Sequence, residues 1–140
     1  GKPWLPVKWP QSLLNVAGQN ADENSTLNFY RRMLAFRRAN PVLIEGGIEF
    51  LKTSEPVLAF RRTGGEAGDM LCIFNLSPDP VRITVEGAPS GTEALPISQG
   101  AVLAGNRLGL GANGYAFIAE GATGRLGEKF TRRAKTRAAA

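Results

Sequence analysis

DENSTLNFYRRMLAFRRANPVLI, Asp22–Ile44, carries the one sustained helical period in the chain. Asp22, Asn24 and Ser25 are each suited to cap a helix start, and acidic Asp22 and Glu23 suit the positive end of its dipole. Asn40-Pro41 should end it, because the residue before a proline is pushed out of the α region. At about 100° per residue, Leu27, Phe29, Tyr30, Met33, Leu34 and Phe36 fill an arc of roughly 180°. A helix lying on one sheet needs a narrower stripe, so burial from two sides is expected. Arg31, Arg32 and Arg38 fall on the solvated side. Arg37 projects into the apolar arc, where a guanidinium must be paired or must run along apolar surface to water. A structural ion pair is predicted for it.

Upstream, Gly1–Asn20 holds three prolines and two tryptophans without any period. Pro3, Pro6 and Pro10 bias the residues before them to extended conformations. Trp4, Leu5, Val7 and Trp9 are too apolar for a free linker, so the segment is expected to press against something.

Downstream of Gly46 the texture changes to short strands and turns. The fold class read from it is mainly β: an antiparallel β-sandwich, Greek-key-like, preceded by an irregular Pro/Trp segment and one long α-helix. Strands are predicted at Ile48–Thr53, Val57–Thr63, Met70–Ser77, Val81–Glu86, Glu93–Ile97, Ala101–Leu103, Arg107–Leu110 and Tyr115–Glu120. Asp69–Asn75 is apolar on both faces and should be central. Val81, Ile83 and Val85 alternate with Arg82, Thr84 and Glu86, giving one buried and one wet face. Gly64-Gly65, Ser77-Pro78-Asp79-Pro80, Gly105-Asn106 and Asn113-Gly114 supply the turns.

The net charge of +5 is confined to one end. Residues 1–120 balance eleven Lys or Arg against eleven Asp or Glu, and the surplus lies in Gly121–Ala140. That tail, rich in glycine and basic residues, reads as a poorly ordered extension or a frayed helix over its last dozen residues. A neutral remainder gives no electrostatic reason to expect a nucleic-acid partner. No apolar run approaches the roughly 20 residues a membrane span needs, and Gly1–Pro10 does not read as a signal peptide. Cys72, the single cysteine, sits within MLCIF as a buried thiol. One cysteine precludes an internal disulfide and suits a reducing cytoplasm, the expected location.

No catalytic constellation emerges. The chain lacks histidine, so the commonest general base and the usual serine triad are missing. The acids Asp22, Glu23, Glu45, Glu55, Glu66, Asp69 and Asp79 lie at caps or turns, and Glu49, Glu86 and Glu93 on outward strand positions. Solvated surface roles are expected for all of them. Gly109, Gly111 and Gly114 form no phosphate loop, because a strand and not a helix follows. Neither a cofactor nor a metal is expected.

Several tracts together resemble the C-terminal part of bacterial α-glucosidases and oligo-1,6-glucosidases of the α-amylase superfamily. They are KPWLPV at Lys2–Val7, NV at Asn15-Val16 and STLNFYRRMLAFRRANPVLIEG at Ser25–Gly46. VLAFRRT at Val57–Thr63, MLCIFNLSPDPV at Met70–Val81 and GYAFIAE at Gly114–Glu120 continue the match. The family's last barrel helix is marked by a tyrosine and the pattern L…LR…P.L..G. Tyr30, Leu34, Arg37, Pro41, Leu43 and Gly46 follow it, with Phe36 replacing one leucine. The resemblance covers residues 2–120 and is strongest over 2–80.

The resemblance implies that residues 1–44 close a (β/α)8 catalytic barrel and that 45–120 form an all-β C-terminal domain; residues 121–140, which take no part in it, read from their composition as a basic flexible tail. It implies structural roles for Tyr30, Leu34, Arg37 and Pro41, and a missing catalytic barrel of the same protein as partner. The family is of retaining glycosidases, whose Asp nucleophile and Glu acid/base act at about 5–5.5 Å separation. No residue here matches either one. The chain is thus expected to be a non-catalytic fragment of an enzyme that hydrolyses short α-glucosides, and to be inactive alone. Two alternatives stand beside this reading. One is a carbohydrate-binding β-sandwich module using Trp4 and Trp9. The other is the C-terminal domain of a related transglycosylase or isomerase.

Overall fold

The computed structural model describes residues 4–6, 8–64, 68–86, 93–120 and 130–132, without the side chains of Leu13 and of 130–132. They fall into two compact units that divide after Ala39.

The first unit is helical. Helices α1 (Trp9–Leu13) and α2 (Val16–Ala21) occupy the segment expected to be irregular. Pro10 is compatible with α1 because it sits in the first turn, where its missing N–H has no helical partner to lose. Asn15 starts α2 by accepting from the Gly18 N–H at 2.8 Å. Helix α3 spans Thr26–Ala39. Ser25 caps it: its Oγ accepts from the Asn28 N–H at 3.2 Å, and the same hydroxyl donates to the Gln19 carbonyl at 2.6 Å. Asn28 Nδ2 donates to the carbonyls of Gln19 (3.0 Å) and Asp22 (2.8 Å), while Gln19 Oε1 accepts from the Leu27 N–H at 3.1 Å. The groups left over at the end of α2 and at the start of α3 thus satisfy one another. No residue of α3 is buried.

The second unit is mainly antiparallel β. A short helix α4 (Val42–Glu45) leads into β1 (Gly47–Phe50), β2 (Val57–Thr63), β3 (Asp69–Asn75), β4 (Val81–Val85), β5 (Gln99–Ala104), β6 (Arg107–Glu120) and β7 (Phe130–Arg132). They form one seven-stranded sheet in the order β1-β2-β3-β6-β4-β7, with β5 also paired to β6. β3 is central, between β2 and β6, as its two apolar faces predict. Val81, Ile83 and Val85 are buried and Arg82 is exposed, as their alternation predicts.

The two strands expected at Arg107–Leu110 and Tyr115–Glu120 are one. The first half of β6 pairs with β4 and β5, the second with β3. Asn113-Gly114 makes a kink within the strand and not a hairpin. Asn113 takes a left-handed φ of 51°, and its N–H is held by the Ser77 carbonyl at 2.9 Å. Glu93–Ile97 is not a strand. It runs irregularly beside β6, with the Leu95 N–H on the Phe117 carbonyl at 2.7 Å. Of the tail, Phe130–Arg132 pairs with β4 as a strand, which excludes helix there; its other residues lie outside the described ones.

One apolar core forms on the inner face. Val57, Ala59, Leu71, Ile73, Ala116 and Ile118 come from β2, β3 and the second half of β6. Val81, Ile83, Val85, Leu108 and Leu110 come from β4 and the first half of β6. Burying each larger aliphatic chain contributes about 1.5–3 kcal/mol.

Candidate interface

Among the described residues, charge enters the interior of the sheet at one place. Arg61 lies on the inner face of β2, fully buried. Its Nε donates to Glu120 Oε2 at 2.6 Å and its Nη2 to Oε1 at 3.1 Å. The fork is bidentate, the strongest geometry open to a guanidinium and a carboxylate. Glu49 Oε2 stands 3.6 Å from Nη1. The hydrogen bond and charge of Glu120 hold the Arg61 guanidinium above its ordinary range, against the opposing cost of burial. Two carboxylates therefore converge on one cation, and the geometry suits a structural ion pair. Glu120 is itself buried, which removes it from any substrate. Sequence reasoning missed this cluster: Glu49 is exposed as expected, but its approach to Arg61 was not foreseen, and Glu120 was given no role. The signal was an arginine at an inward position of an alternating strand.

The outer face of the same strands carries a row of rings. Phe60 and Phe74 stack with centroids 5.7 Å apart, Phe74 and Tyr115 follow at 6.3 Å, and Phe50 extends the row from β1 at 5.9 Å. Phe117 joins it edge-on to both Phe74 and Tyr115. Among these rings only the Phe60–Phe74 pair meets face to face; Phe50 meets Phe60 at 62°, an edge contact.

Helix α4 packs on β2 and β3. Arg62, pointing outward where Arg61 points inward, donates to the Gly46 carbonyl at 2.6 Å and the Val42 carbonyl at 3.3 Å. Val42 is buried, and Gly46 has no room for a side chain. A Cβ there would lie 2.4 Å from the Val42 oxygen and 2.8 Å from that of Thr63. Burial pushes the Cys72 thiol, fully enclosed on β3, up to about 12.

At the far end of β3, Asn75 is buried and fully satisfied. Its Nδ2 donates to the carbonyls of Asp79 (2.7 Å) and Gly111 (2.8 Å). Its Oδ1 accepts from the Ser77 N–H (3.2 Å) and Oγ (2.9 Å). The Asn-Leu-Ser tract thus ties the turn after β3 to the kink of β6.

The residues singled out from sequence lie mostly in the first unit and are not brought into one site. Trp4 and Trp9 are 90% and 75% exposed. Tyr30 and Leu34 are exposed on α3. Arg37 is exposed, and no ion pair links it to another described residue. Pro41 opens α4, its carbonyl accepting from the N–H groups of Ile44 and Glu45 at 2.8 and 2.9 Å.

No protein-family model matches the chain. Individual relatives do. A probable α-glucosidase of Rhizobium meliloti is 44% identical over 77 residues, which are 55% of this chain and 14% of the relative. A glucan 1,6-α-glucosidase of Streptococcus pneumoniae is 32% identical over 87 residues, 62% of this chain and 16% of the relative. Among solved structures, an α-glucosyl transfer enzyme superposes with a TM-score of 0.74 at 34% identity, over 84% of this chain and 22% of that one. An α-amylase from H. orenii gives 0.64 at 27% identity, over 84% and 25%. The chain is homologous to the C-terminal part of α-glucosidases and oligo-1,6-glucosidases, and spans about a seventh of the curated relatives' length.

Proposed function

We propose, from that homology, that this chain is the non-catalytic C-terminal part of an α-glucosidase-type glycoside hydrolase that acts on short α-glucosides in the cytoplasm. Residues 1–44 complete a catalytic barrel, and residues 45–120 form a two-layered β-sandwich that packs on it. The observation that carries this reading is the partial match: identity reaches 44% while covering 14% of the relative. The buried Arg61–Glu120 pair supports it, since that carboxylate serves a cation and not a substrate. So do the apolar side chains left on the surface of α3 and on the outer sheet face, which suit a large protein partner. In this reading Tyr30, Leu34 and Arg37 meet the barrel, and the partner of the Arg37 guanidinium lies there.

The test is reconstitution. The Rhizobium meliloti relative, truncated before its matching segment, is expected to regain hydrolysis of a nitrophenyl α-glucoside when this chain is supplied in trans. Hydrolysis by this chain alone would overturn the reading. The solvent exposure of Trp4 and Trp9 favours one second reading, a carbohydrate-binding module. A saturable change in tryptophan fluorescence on titration with maltooligosaccharides would support it. The similarity to an α-glucosyl transfer enzyme leaves a transglycosylase or isomerase as the parent in a third.

A further inference from the structure

Asn113 alone among the asparagines is followed by glycine. Such a step is the one most open to attack by a backbone nitrogen on the preceding side-chain amide, because glycine has no side chain to shield its N–H. Asn113 is exposed, so water and base reach it. Two features of the β6 kink oppose the attack. The Asn113 N–H is held by the Ser77 carbonyl at 2.9 Å, in a left-handed conformation with φ 51°. Gly114 is enclosed: a Cβ there would lie 3.0 Å from the Gln99 carbonyl oxygen and 3.0 Å from both the nitrogen and the oxygen of Gly111. Closing an imide ring between the Gly114 nitrogen and the Asn113 side chain requires the backbone between them to turn. The bond to Ser77 fixes one side of that step, and the packing of Gly114 fixes the other.

We propose that Asn113 is a site of spontaneous deamidation, and that the β6 kink keeps it closed until the strand opens locally. On opening, the Gly114 nitrogen gives up its proton to hydroxide and bonds to the side-chain carbonyl carbon of Asn113. That carbon releases its own nitrogen as ammonia, which leaves a cyclic imide. Water then opens the imide at either carbonyl, giving aspartate or isoaspartate. No oxidant or reductant takes part. Isoaspartate routes the main chain through the side-chain carbons and so lengthens it by one methylene, which the packed kink cannot take up. Modification therefore leaves a permanent record that β6 has opened. The chemistry belongs to this chain and does not depend on any activity of a parent enzyme.

Incubation of the folded chain at mildly alkaline pH, beside the same chain in guanidinium, tests it. Trypsin releases Leu108–Arg125, whose mass and isoaspartate content report Asn113. In guanidinium Asn113 is expected to be the first asparagine modified. In the folded chain its modification should be slower by roughly tenfold or more, and its amide hydrogen exchange slowed by a similar factor, because one opening exposes both. Equal rates of deamidation in the folded and unfolded chain would overturn the proposal, since the kink would then give no protection. So would earlier modification of another asparagine in guanidinium. A well-protected Asn113 amide beside rapid deamidation in the folded chain would also overturn it, because the reaction would then need no opening.

Discussion

Arg61 and Glu120 are joined by two hydrogen bonds although their strands are not neighbours: β3 lies between β2 and β6. Arg61 sits opposite Leu71, and Leu71 opposite Ile118, two residues short of Glu120. The pair therefore runs diagonally beneath β3 and fastens three strands with one contact.

Glu120→Ala should cost about 3–5 kcal/mol, because it strands a buried guanidinium. Replacing both partners with leucine should recover most of that loss, since no charge then remains inside. Urea titrations of the two variants measure this. A single substitution costing under about 1 kcal/mol would show that water reaches Arg61.

Gly46→Ala should destabilise by about 1–3 kcal/mol, the usual cost of forcing atoms into a filled site. The residue's φ of −63° is open to any amino acid, so the penalty comes wholly from the Val42 and Thr63 oxygens. Arg62→Met should give a loss of similar size by freeing the carbonyls of α4. Thermal melts distinguish the outcomes: an unchanged midpoint in both would mean that α4 is not held where it lies.

Asn75→Asp keeps the shape of the side chain but replaces two donated hydrogen bonds with a carboxylate facing the Asp79 and Gly111 carbonyls. A loss of about 2–4 kcal/mol is expected, within the range for a buried polar group stripped of its partners. Asn75→Asp measured beside Ser77→Ala in a denaturant series would rank the two ties.

Cys72 should resist thiol reagents at pH 8 in the folded protein and react at once in denaturant. Its thiol is pushed from 9.0 to about 12 by burial. Between those values the unfolded chain has lost the proton and the folded chain keeps it. Stability is thus intact below pH 9 and falls as pH rises, by at most about 1.4 kcal/mol per unit from this group. Cys72→Ala should flatten that part of the curve. An identical slope would assign the alkaline loss to other groups.

The readable parts of the chain were those whose reasons are local. β2, β3 and β4 follow from alternating apolar residues, and the limits of α3 from Ser25 and from Asn40-Pro41. α1 was hidden because Pro10 looks like a breaker until its first-turn position is known. The kink of β6 was hidden because Asn113-Gly114 is ordinary hairpin chemistry, redirected here by a bond to Ser77 from another turn. The Arg61–Glu120 pair joins residues 59 apart. Nothing nearby in sequence announces it, and it becomes visible once β3 is known to separate the strands.

The adjacent arginines of β2 also act as a proofreading device. Arg61 reads the interior for an acid, and Arg62 reads the exterior for the carbonyl end of a helix. Sliding β2 by one residue would exchange their faces, setting each guanidinium before the wrong partner at once. A misaligned strand would then be penalised from both sides, so two unlike locks on neighbouring residues leave a single alignment in which both close.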